Sequence, residues 1–194
     1  SRSNKPWFIN TGTFWQHYQS KPYSPVNLYA ATKQAFEDIS KYYVEGLGMN
    51  IVTLKLNDTF GSGDTRAKIF NLFLKHAESG QPLEMSPGKQ LMDMSYIENV
   101  IDGYVKLAQL LNKDSKCKYA GSSFAIRAPK RLPLKGIAAV FEKVTGKKLN
   151  IVWGAKEYRP REVMVPWNKG KLIPGWKPRI SLEKGIKLTF TAKK

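Results

Sequence analysis

Cysteine, histidine and long apolar stretches are scarce in this sequence of 194 residues. The one cysteine, Cys117, cannot form a disulfide within the chain and has no second cysteine with which to bind zinc. The two histidines, His17 and His76, are far apart and belong to no ligand-spaced cluster, so we expect no metal site. No apolar run approaches the roughly 20 residues that cross a bilayer. We therefore expect a protein of a reducing compartment, the cytoplasm, without a membrane partner.

Acidic residues are also few, since 15 Asp and Glu stand against 32 Lys and Arg, which gives a formal net charge of +17. Such a charge favours an anionic partner, such as a phosphorylated ligand or nucleic acid. The basic residues are spread along the chain, however, and the densest clusters are pairs such as Lys130-Arg131. No known nucleic-acid-binding motif is present. We expect no nucleic-acid partner, while a non-catalytic basic fragment that binds nucleotides or nucleic acid stays open as the alternative function.

Apolar strands alternate with amphipathic helices, which indicates an α/β fold with parallel pairing. Strands are predicted at 7–10, 51–56, 91–96 and 149–153. Helices are predicted from Asn27, which can cap the first turn, to Gly48, and over 67–77, 97–111 and 134–144. The segment 58–64 is expected to be a loop. An apolar stripe on the helix 97–111 is expected to comprise Ile97, Val100, Ile101, Tyr104, Ala108 and Leu111.

Tyr29 and Lys33 form the first candidate catalytic pair. They are four residues apart and so lie one turn apart on the same face of the predicted helix. A phenol with an ordinary pKa near 10 is a poor acid or base at neutral pH, but a nearby ammonium stabilises the phenolate. Such a pair can move a proton to or from a sugar hydroxyl. A half-buried tyrosine beside a solvated lysine meets the same spacing, and the spacing alone does not separate the two interpretations.

Two hydroxyl side chains, Thr11 and Thr13, follow the first predicted strand. Ligands bind at the carboxyl ends of strands in open α/β sheets, so Thr11 is placed to contact both a substrate and the Tyr29 phenol. Either threonine can instead cap a turn with its hydroxyl.

A series of motifs runs along nearly the whole chain in a fixed order. After Asn10-Thr11-Gly12-Thr13 and the Tyr-x-x-x-Lys pair comes a strand and glycine loop at 54–64. The run 88–100 is similar to Gly-x-Gln-x-Arg-Asp-Phe-x-Tyr-Val-x-Asp-Val, and 158–162 to an Arg-Pro-Gly-Asp turn. The segment 175–186 is similar to a closing Gly-Trp-x-Pro and Ser-Leu-Glu-x-Gly-Ile pattern. Together the motifs resemble the extended short-chain dehydrogenases/reductases that act on sugar nucleotides, from the catalytic-hydroxyl strand to the C-terminus.

This resemblance implies a Rossmann-type α/β fold, NAD or NADP as cofactor, a nucleoside-diphosphate sugar as substrate, and a homodimer. The implied reaction is epimerisation or reduction at C4 of the hexose. Tyr29 would be the acid/base, Lys33 would bind the nicotinamide ribose beside it, and Thr11 would assist at the sugar hydroxyl. Substrate contacts are implied for Thr13, Asp58 and Arg159. The Arg159 guanidinium suits a diphosphate, although a solvated surface arginine beside a proline turn is the alternative.

The sequence departs from the family pattern at several positions. Asp58 stands where the family has an Asn, and Met92 where it has an Arg. The Asp-Glu pair that family members use to eliminate water is matched by Gly12 and Thr13, which disfavours dehydratase activity. The Thr-x-Thr-Phe pattern is most similar to the synthases and reductases of CDP-linked 3,6-dideoxyhexoses, such as abequose and paratose.

Family members begin with a Gly-x-x-Gly-x-x-Gly turn that holds the cofactor pyrophosphate, and no such turn follows the first predicted strand here. The resemblance thus implies that the chain lacks the N-terminal cofactor-binding part, and we expect no tight NADPH binding by the chain alone. Residues 1–60 are expected to be the C-terminal remnant of the dinucleotide-binding domain. Residues 61–194 are expected to form mainly a small α+β substrate-binding domain, with segments that return to the sheet.

Overall fold

The computed structural model describes residues 5–191, in which short strands alternate with helices. The helices are α1 (Leu28–Leu47), α2 (Ile69–Ser79), α3 (Ile97–Asn112), α4 (Leu134–Thr145) and α5 (Leu182–Phe190). The strands are β1 (Trp7–Thr13), β2 (Asn50–Leu56), β3 (Asp58–Phe60), β4 (Leu83–Met85), β5 (Leu91–Met92), β6 (Met94–Tyr96), β7 (Ser123–Ala125), β8 (Leu132–Pro133), β9 (Ile151–Trp153) and β10 (Lys171–Leu172). Over this part of the chain, every helix is too short or too polar to cross a membrane.

One parallel sheet, in the strand order β1-β2-β7-β10, forms the central layer. β1 pairs with β2 over its full length, from Trp7 opposite Asn50 to Thr13 opposite Leu56. β1 is an edge strand of this sheet within residues 5–191. Three strand pairs lie outside it: β3 with β6 and β4 with β9 in parallel, and β5 with β8 antiparallel. The predicted α/β class with parallel pairing is confirmed.

Two apolar clusters hold these layers together. The first lies between α3 and the sheet, where Leu54, Leu107 and Phe124 are fully buried. The second is rich in phenylalanine and joins α2, α4 and α5 to the β3-β6 pair. Large aromatic side chains bury much apolar surface and pack edge-on, so they stabilise a small domain with few residues. The second cluster includes Phe60, Phe70, Phe73, Phe141 and Ile186.

Helix α1 begins and ends as its sequence predicts. Asn27 caps it, because the Asn27 Oδ1 atom accepts a hydrogen bond of 3.0 Å from the Ala30 amide. Gly48 ends it with a φ of 62°, a left-handed conformation that glycine adopts without steric cost. Phe36 contacts Phe8 of β1, with 6.2 Å between ring centroids. These contacts fix α1 on the face of the sheet opposite α3.

Three local predictions were wrong. The segment 58–64 is not wholly a loop, because its first three residues form β3 and pair with β6. The strand predicted at 91–96 is broken at Asp93, whose carboxylate turns inward to accept hydrogen bonds from Ala128 and Arg131. On α3, Ile97, Ile101 and Ala108 are exposed although all three were assigned to the apolar stripe, while Leu107 is fully buried.

Candidate active site

Thr11 lies at the carboxyl end of β1, and its hydroxyl contacts a tyrosine of α3. The distance between Thr11 Oγ1 and Tyr104 Oη is 2.5 Å, and either hydroxyl can donate the hydrogen bond. Both side chains are half-buried. Trp7 and Ile9 of β1 pack in the same apolar cluster as the Tyr104 ring, so the odd-numbered residues of this strand face α3.

Tyr29 and Lys33 lie in the first two turns of α1. The Tyr29 residue is 51% exposed, and Lys33 Nζ lies 5.8 Å from the centroid of its ring. Within residues 5–191 no carboxylate lies within ion-pair distance of Lys33. Burial raises the pKa of Tyr104, the hydrogen bond to Thr11 lowers it, and the nearby Tyr29 phenol raises it. Tyr104 therefore contacts Thr11, and Tyr29 is near enough to act on Tyr104 through its charge.

A cavity of about 470 Å³ lies at the start of α1, where the capping residue Asn27 lines it. Trp15 and Asn27 line it from the segment that joins β1 to α1, and Asp58 and Arg159 line it from the rest of the chain. A second cavity of about 260 Å³ is also lined by Trp15, Asp58 and Arg159. Volumes of this size suit small-molecule ligands. The structure thus brings Asp58 and Arg159 to one cavity, whereas Thr11, Tyr29 and Lys33 line neither of the two cavities.

Asp58 and Arg159 give the cavity a mixed charge. Burial raises the pKa of Asp58 to about 6, and Lys68 and Arg159 partly counter that rise. The Arg159 guanidinium is held by Glu162, with Nε 3.0 Å and Nη2 3.3 Å from the two carboxylate oxygens. This fork leaves other guanidinium N–H groups free of protein partners in the described part of the chain. Arg159 is therefore oriented but still able to donate to an anion.

Thr13 is placed differently from the other predicted site residues. Its hydroxyl accepts a hydrogen bond from the Trp15 amide at 3.3 Å and caps the 3₁₀ turn Phe14–Gln16. The Gln16 side chain closes the same cap by accepting from the Thr13 amide at 2.9 Å. Thr13 is buried and does not line either of the two cavities. The structure therefore gives its hydroxyl a capping contact and does not bring it to Asp58 and Arg159.

Arg161, which the sequence analysis did not identify, lines the larger cavity. Its Nη2 lies 2.8 Å from Ser24 Oγ, and its guanidinium carbon lies 4.3 Å from the centroid of the Tyr18 ring. Arg161 has a φ of 58°, in the left-handed region, as do Gln19 and Ser20 in the segment that it contacts. The sequence feature that could have drawn attention to this residue is that Arg161 stands in the glycine position of the Arg-Pro-Gly-Asp pattern.

A buried charged cluster, also missed, lies under the turn that follows Thr13. Lys55 Nζ lies 2.8 Å from His17 Nε2 and 3.2 Å from a Glu37 carboxylate oxygen. Burial first, and the Lys55 cation second, lower the pKa of His17 to about 4. Burial also lowers the pKa of Lys55, against the opposing effect of Glu37. Gln16 donates to the other Glu37 oxygen at 2.8 Å, so the cluster ties the turn to α1. The sequence feature that could have indicated this cluster is Lys55, a lysine inside an otherwise apolar strand.

The Tyr29 and Lys33 side chains fit one part of a nicotinamide cofactor. The Tyr29 hydroxyl and the Lys33 ammonium supply hydrogen-bond donors, which suit the hydroxyls of a ribose. The Gly-x-x-Gly-x-x-Gly turn that would suit a pyrophosphate is absent from residues 5–191. The donor set therefore fits the nicotinamide end of the cofactor and leaves its diphosphate unaccounted for.

The chain resembles known proteins in sequence and in fold. The chain is 27% identical to the CDP-abequose synthase of Salmonella muenchen over 191 residues, which is 96% of this chain and 63% of that protein. The crystal structure of UDP-glucuronic acid 4-epimerase from Bacillus cereus, in complex with UDP-glucuronic acid and NAD, matches with a TM-score of 0.82 at 20% identity. That match covers 97% of this chain and 62% of the epimerase. RMD from Pseudomonas aeruginosa, complexed with NADPH, matches with a TM-score of 0.77 at 16% identity over 96% of this chain and 66% of that one.

These matches confirm the predicted Rossmann-type fold, and the chain spans less than two thirds of the length of the synthase. A family model described as the NAD dependent epimerase/dehydratase family matches residues 12–119. The predicted membership in a nicotinamide-dependent family of sugar-nucleotide enzymes is thereby confirmed. Because that model covers more than half of the 194 residues, the chain belongs to the NAD dependent epimerase/dehydratase family.

Proposed function

We propose that the chain carries the catalytic and substrate-binding side of an enzyme that epimerises or reduces a nucleoside-diphosphate sugar at C4, with NAD or NADP. The observation that carries this proposal is the hydrogen bond between Thr11 and Tyr104, whose charge Tyr29 influences, together with the cavity that Asp58 and Arg159 line. In the proposed division of the chain, residues 1–60 provide the catalytic group. Residues 61–194 provide most of the substrate site and return β7 and β10 to the sheet.

Tyr29 is the proposed acid/base at the sugar hydroxyl. Its half-exposed phenol can take the hydroxyl proton as the C4 carbon is oxidised, and return a proton when C4 is reduced. The Lys33 ammonium stabilises the phenolate form and donates to the nicotinamide ribose. The bound nicotinamide would supply or accept the hydride. Thr11 holds the same sugar hydroxyl through Oγ1 and so keeps it within reach of the phenol.

Arg159 and Asp58 are the proposed substrate contacts in the cavity. A guanidinium fork matches phosphate oxygens, and the grip of Glu162 on Arg159 sets the direction of the remaining donors. Asp58, with a pKa of about 6, is mostly a carboxylate at neutral pH and accepts a hydrogen bond from a sugar hydroxyl. Thr13 contributes through the turn that it caps, because that turn carries Trp15 of the cavity wall.

Gly12 supports epimerisation or reduction over dehydration. A Cβ atom at this position would lie 2.9 Å from Thr53 Cγ2 and 3.0 Å from both Gln16 Oε1 and Glu37 Oε1. A carboxylate side chain at Gly12 would therefore meet the Glu37 carboxylate in a filled space. A carboxyl group that could donate a proton to a leaving water from this position would require the Thr53, Gln16 and Glu37 side chains to move.

Ligand titration of the chain tests the substrate half of the proposal. CDP and UDP should bind by calorimetry, and Arg159→Gln should weaken that binding about tenfold, which is about 1.4 kcal/mol. The matched control is Arg179→Gln, because Arg179 is also paired with a carboxylate, that of Asp102 on α3, but lies between β10 and α5 and does not line the cavity. Equal affinities for the two variants would refute the placement of the diphosphate.

Turnover tests the catalytic half. The protein that contains this chain should convert CDP- or UDP-linked 4-keto hexoses with a change in NAD(P)H absorbance. Tyr29→Phe should lower turnover by about 100-fold or more and leave nucleotide binding unchanged. Tyr42→Phe, an exposed tyrosine on the same helix, serves as the control. Full turnover by Tyr29→Phe would contradict the assignment of the acid/base.

A homodimer in the cytoplasm is the proposed state of the protein. Helix α1 exposes an apolar surface on the side away from the sheet, including Ile39 at 54%, Tyr42 at 65% and Leu47 at 50%. A surface of this kind is typical of a protein–protein interface. Sedimentation velocity should give a dimer that Ile39→Lys converts to a monomer. The single cysteine, which is unpaired, fits a reducing compartment.

A further inference from the structure

Tyr104 links the apolar core to the catalytic group. Its ring packs in the cluster between α3 and the sheet, beside residues that include Trp7, Ile9 and Leu56. Its hydroxyl leaves that cluster and lies 2.5 Å from Thr11 Oγ1. α3 contributes to the site through this contact, although α1, which carries Tyr29 and Lys33, packs on the other face of the sheet. The contact joins residues 93 positions apart in the chain.

The apolar packing of α3 does not require this hydroxyl. Val100, Leu107 and Leu111 already form the buried side of the helix, and a phenylalanine ring at 104 would fill the same space as the tyrosine ring. A half-buried hydroxyl needs a partner, because an unpaired one loses its hydrogen bond to water. The partner here is the threonine hydroxyl that the proposed reaction uses.

The contact limits what the Thr11 hydroxyl can do. A threonine hydroxyl has one proton to donate and two lone pairs. If Tyr104 donates to Oγ1, the Thr11 hydroxyl proton is left for another acceptor. The same hydrogen bond to the rigid Tyr104 side chain holds Oγ1 in one staggered rotamer. Burial raises the pKa of Tyr104, so this phenol keeps its proton at neutral pH and can act as the donor.

We propose that Tyr104 is a positioning residue for the reaction assigned above, holding Thr11 Oγ1 so that its free proton and lone pair face the sugar hydroxyl shared with Tyr29. This inference rests on the proposed function. Tyr104 acts through Thr11 and needs no contact with the substrate. It is the residue through which α3 contributes to the reaction.

The first test measures the contact without any turnover. The chain labelled with ¹³C at tyrosine Cζ is titrated by NMR, and Tyr104→Phe identifies the Tyr104 resonance. Because the hydrogen bond to Thr11 lowers the pKa of Tyr104 and the Tyr29 phenol raises it, Thr11→Val should raise this pKa and Tyr29→Phe should lower it. Thr11→Ser, which keeps the hydroxyl, should leave it near the wild-type value. An unchanged Tyr104 titration in both Thr11→Val and Tyr29→Phe would overturn the proposal.

The second test is a double-mutant cycle on turnover. Tyr104→Phe should lower kcat about tenfold with little change in KM, because a misplaced hydroxyl weakens the reaction step more than binding. Adding Tyr104→Phe to Thr11→Val should not lower kcat any further. Adding it to Thr11→Ser should again lower kcat about tenfold. An equal loss on both backgrounds would mean that Tyr104 acts independently of Thr11, and the proposal would fail.

The two tests separate this inference from the function on which it rests. If Tyr29→Phe keeps full turnover, the proposed acid/base fails whatever the titration gives. If Tyr29→Phe abolishes turnover and Tyr104→Phe matches the wild type, only the positioning role fails. The exposed Tyr42→Phe variant gives the baseline for removing a tyrosine hydroxyl, and melting curves identify any loss that comes from a weakened core.

Discussion

Acidification should destabilise the folded chain through His17. This ring is 7% exposed and stacks on Trp167, with 4.0 Å between centroids and 16° between planes. Its Nδ1 lies 3.1 Å from the Lys21 carbonyl oxygen, and Nε2 faces the Lys55 ammonium. The neutral ring satisfies both contacts by donating from Nδ1 and accepting at Nε2. Burial disfavours the charged ring, and protonation would also remove the acceptor and place two cations in contact, so the pKa of His17 falls to about 4.

The sign and size of the effect follow from proton linkage. The unfolded chain binds the His17 proton near pH 6.5, while the folded chain binds it only near pH 4. The stabilisation is therefore complete above pH 6.5 and is lost as the pH falls to 4. At 1.36 kcal/mol per pH unit, the loss is at most about 3 kcal/mol. Asp58 acts in the opposite direction, because its folded pKa of about 6 makes the folded chain bind that proton first.

Comparison of variants removes the Asp58 contribution. Urea denaturation, followed by tryptophan fluorescence, gives the free energy of unfolding of the wild type and of His17→Gln, which keeps an acceptor for Lys55. The difference in free energy of unfolding between the wild type and His17→Gln should fall by about 2 to 3 kcal/mol as the pH is lowered from 7.5 to 4. His76→Gln replaces a half-buried histidine that bonds the Gln81 carbonyl, and its free energy of unfolding relative to the wild type should change by less than about 1 kcal/mol over the same range. A difference between wild type and His17→Gln that stays constant across this range would refute the buried neutral ring.

Three further substitutions test the surroundings of the site. Glu37→Gln leaves the Lys55 ammonium without its carboxylate and should cost about 3 kcal/mol in urea denaturation, whereas Glu45→Gln, in the exposed pair with Lys41, should cost less than about 1 kcal/mol. Arg161→Gly should be about 1 kcal/mol more stable than Arg161→Ala. Both variants lose the side-chain contacts, but only alanine keeps a Cβ atom at a φ of 58°. Equal melting temperatures would contradict the left-handed conformation. Gly12→Asp should destabilise the chain by more than about 2 kcal/mol, with Gly12→Ala measuring the steric part, since the aspartate also brings its charge to Glu37.

Local chemistry explains the parts of the fold that were predictable from the sequence. The Asn27 cap and the left-handed Gly48 and Gly146 fix helix ends through contacts within a few residues, so the sequence nearby determines them. The helices α2, α3 and α4 followed from their apolar periodicity to within two residues. The order of the motifs was enough to predict the family, because each motif depends on a short segment.

Features that depend on distant partners could not be predicted in this way. β3 is three residues long and exists because it pairs with β6, more than thirty positions away, so its own residues resemble a loop. Ile101 and Leu107 are equally apolar, and only the direction in which α3 packs decides which of them is buried. Tyr104 has an aromatic ring that suits the apolar stripe, which concealed the contact of its hydroxyl with Thr11.

The face of α1 that carries the candidate chemistry is set by three residues at a spacing of four. Tyr29, Lys33 and Glu37 follow one another along one side of the helix, turn by turn. Asn27 fixes the first turn, and the bonds of Glu37 to Gln16 and Lys55 fix the third turn against the strands that carry Thr11 and Lys55. Lys33 lies between these two anchors and has no carboxylate partner in residues 5–191, so its ammonium is left available. The buried cluster therefore anchors the helix that carries the proposed catalytic pair, and its residues could not be recognised from the chemistry of the proposed reaction.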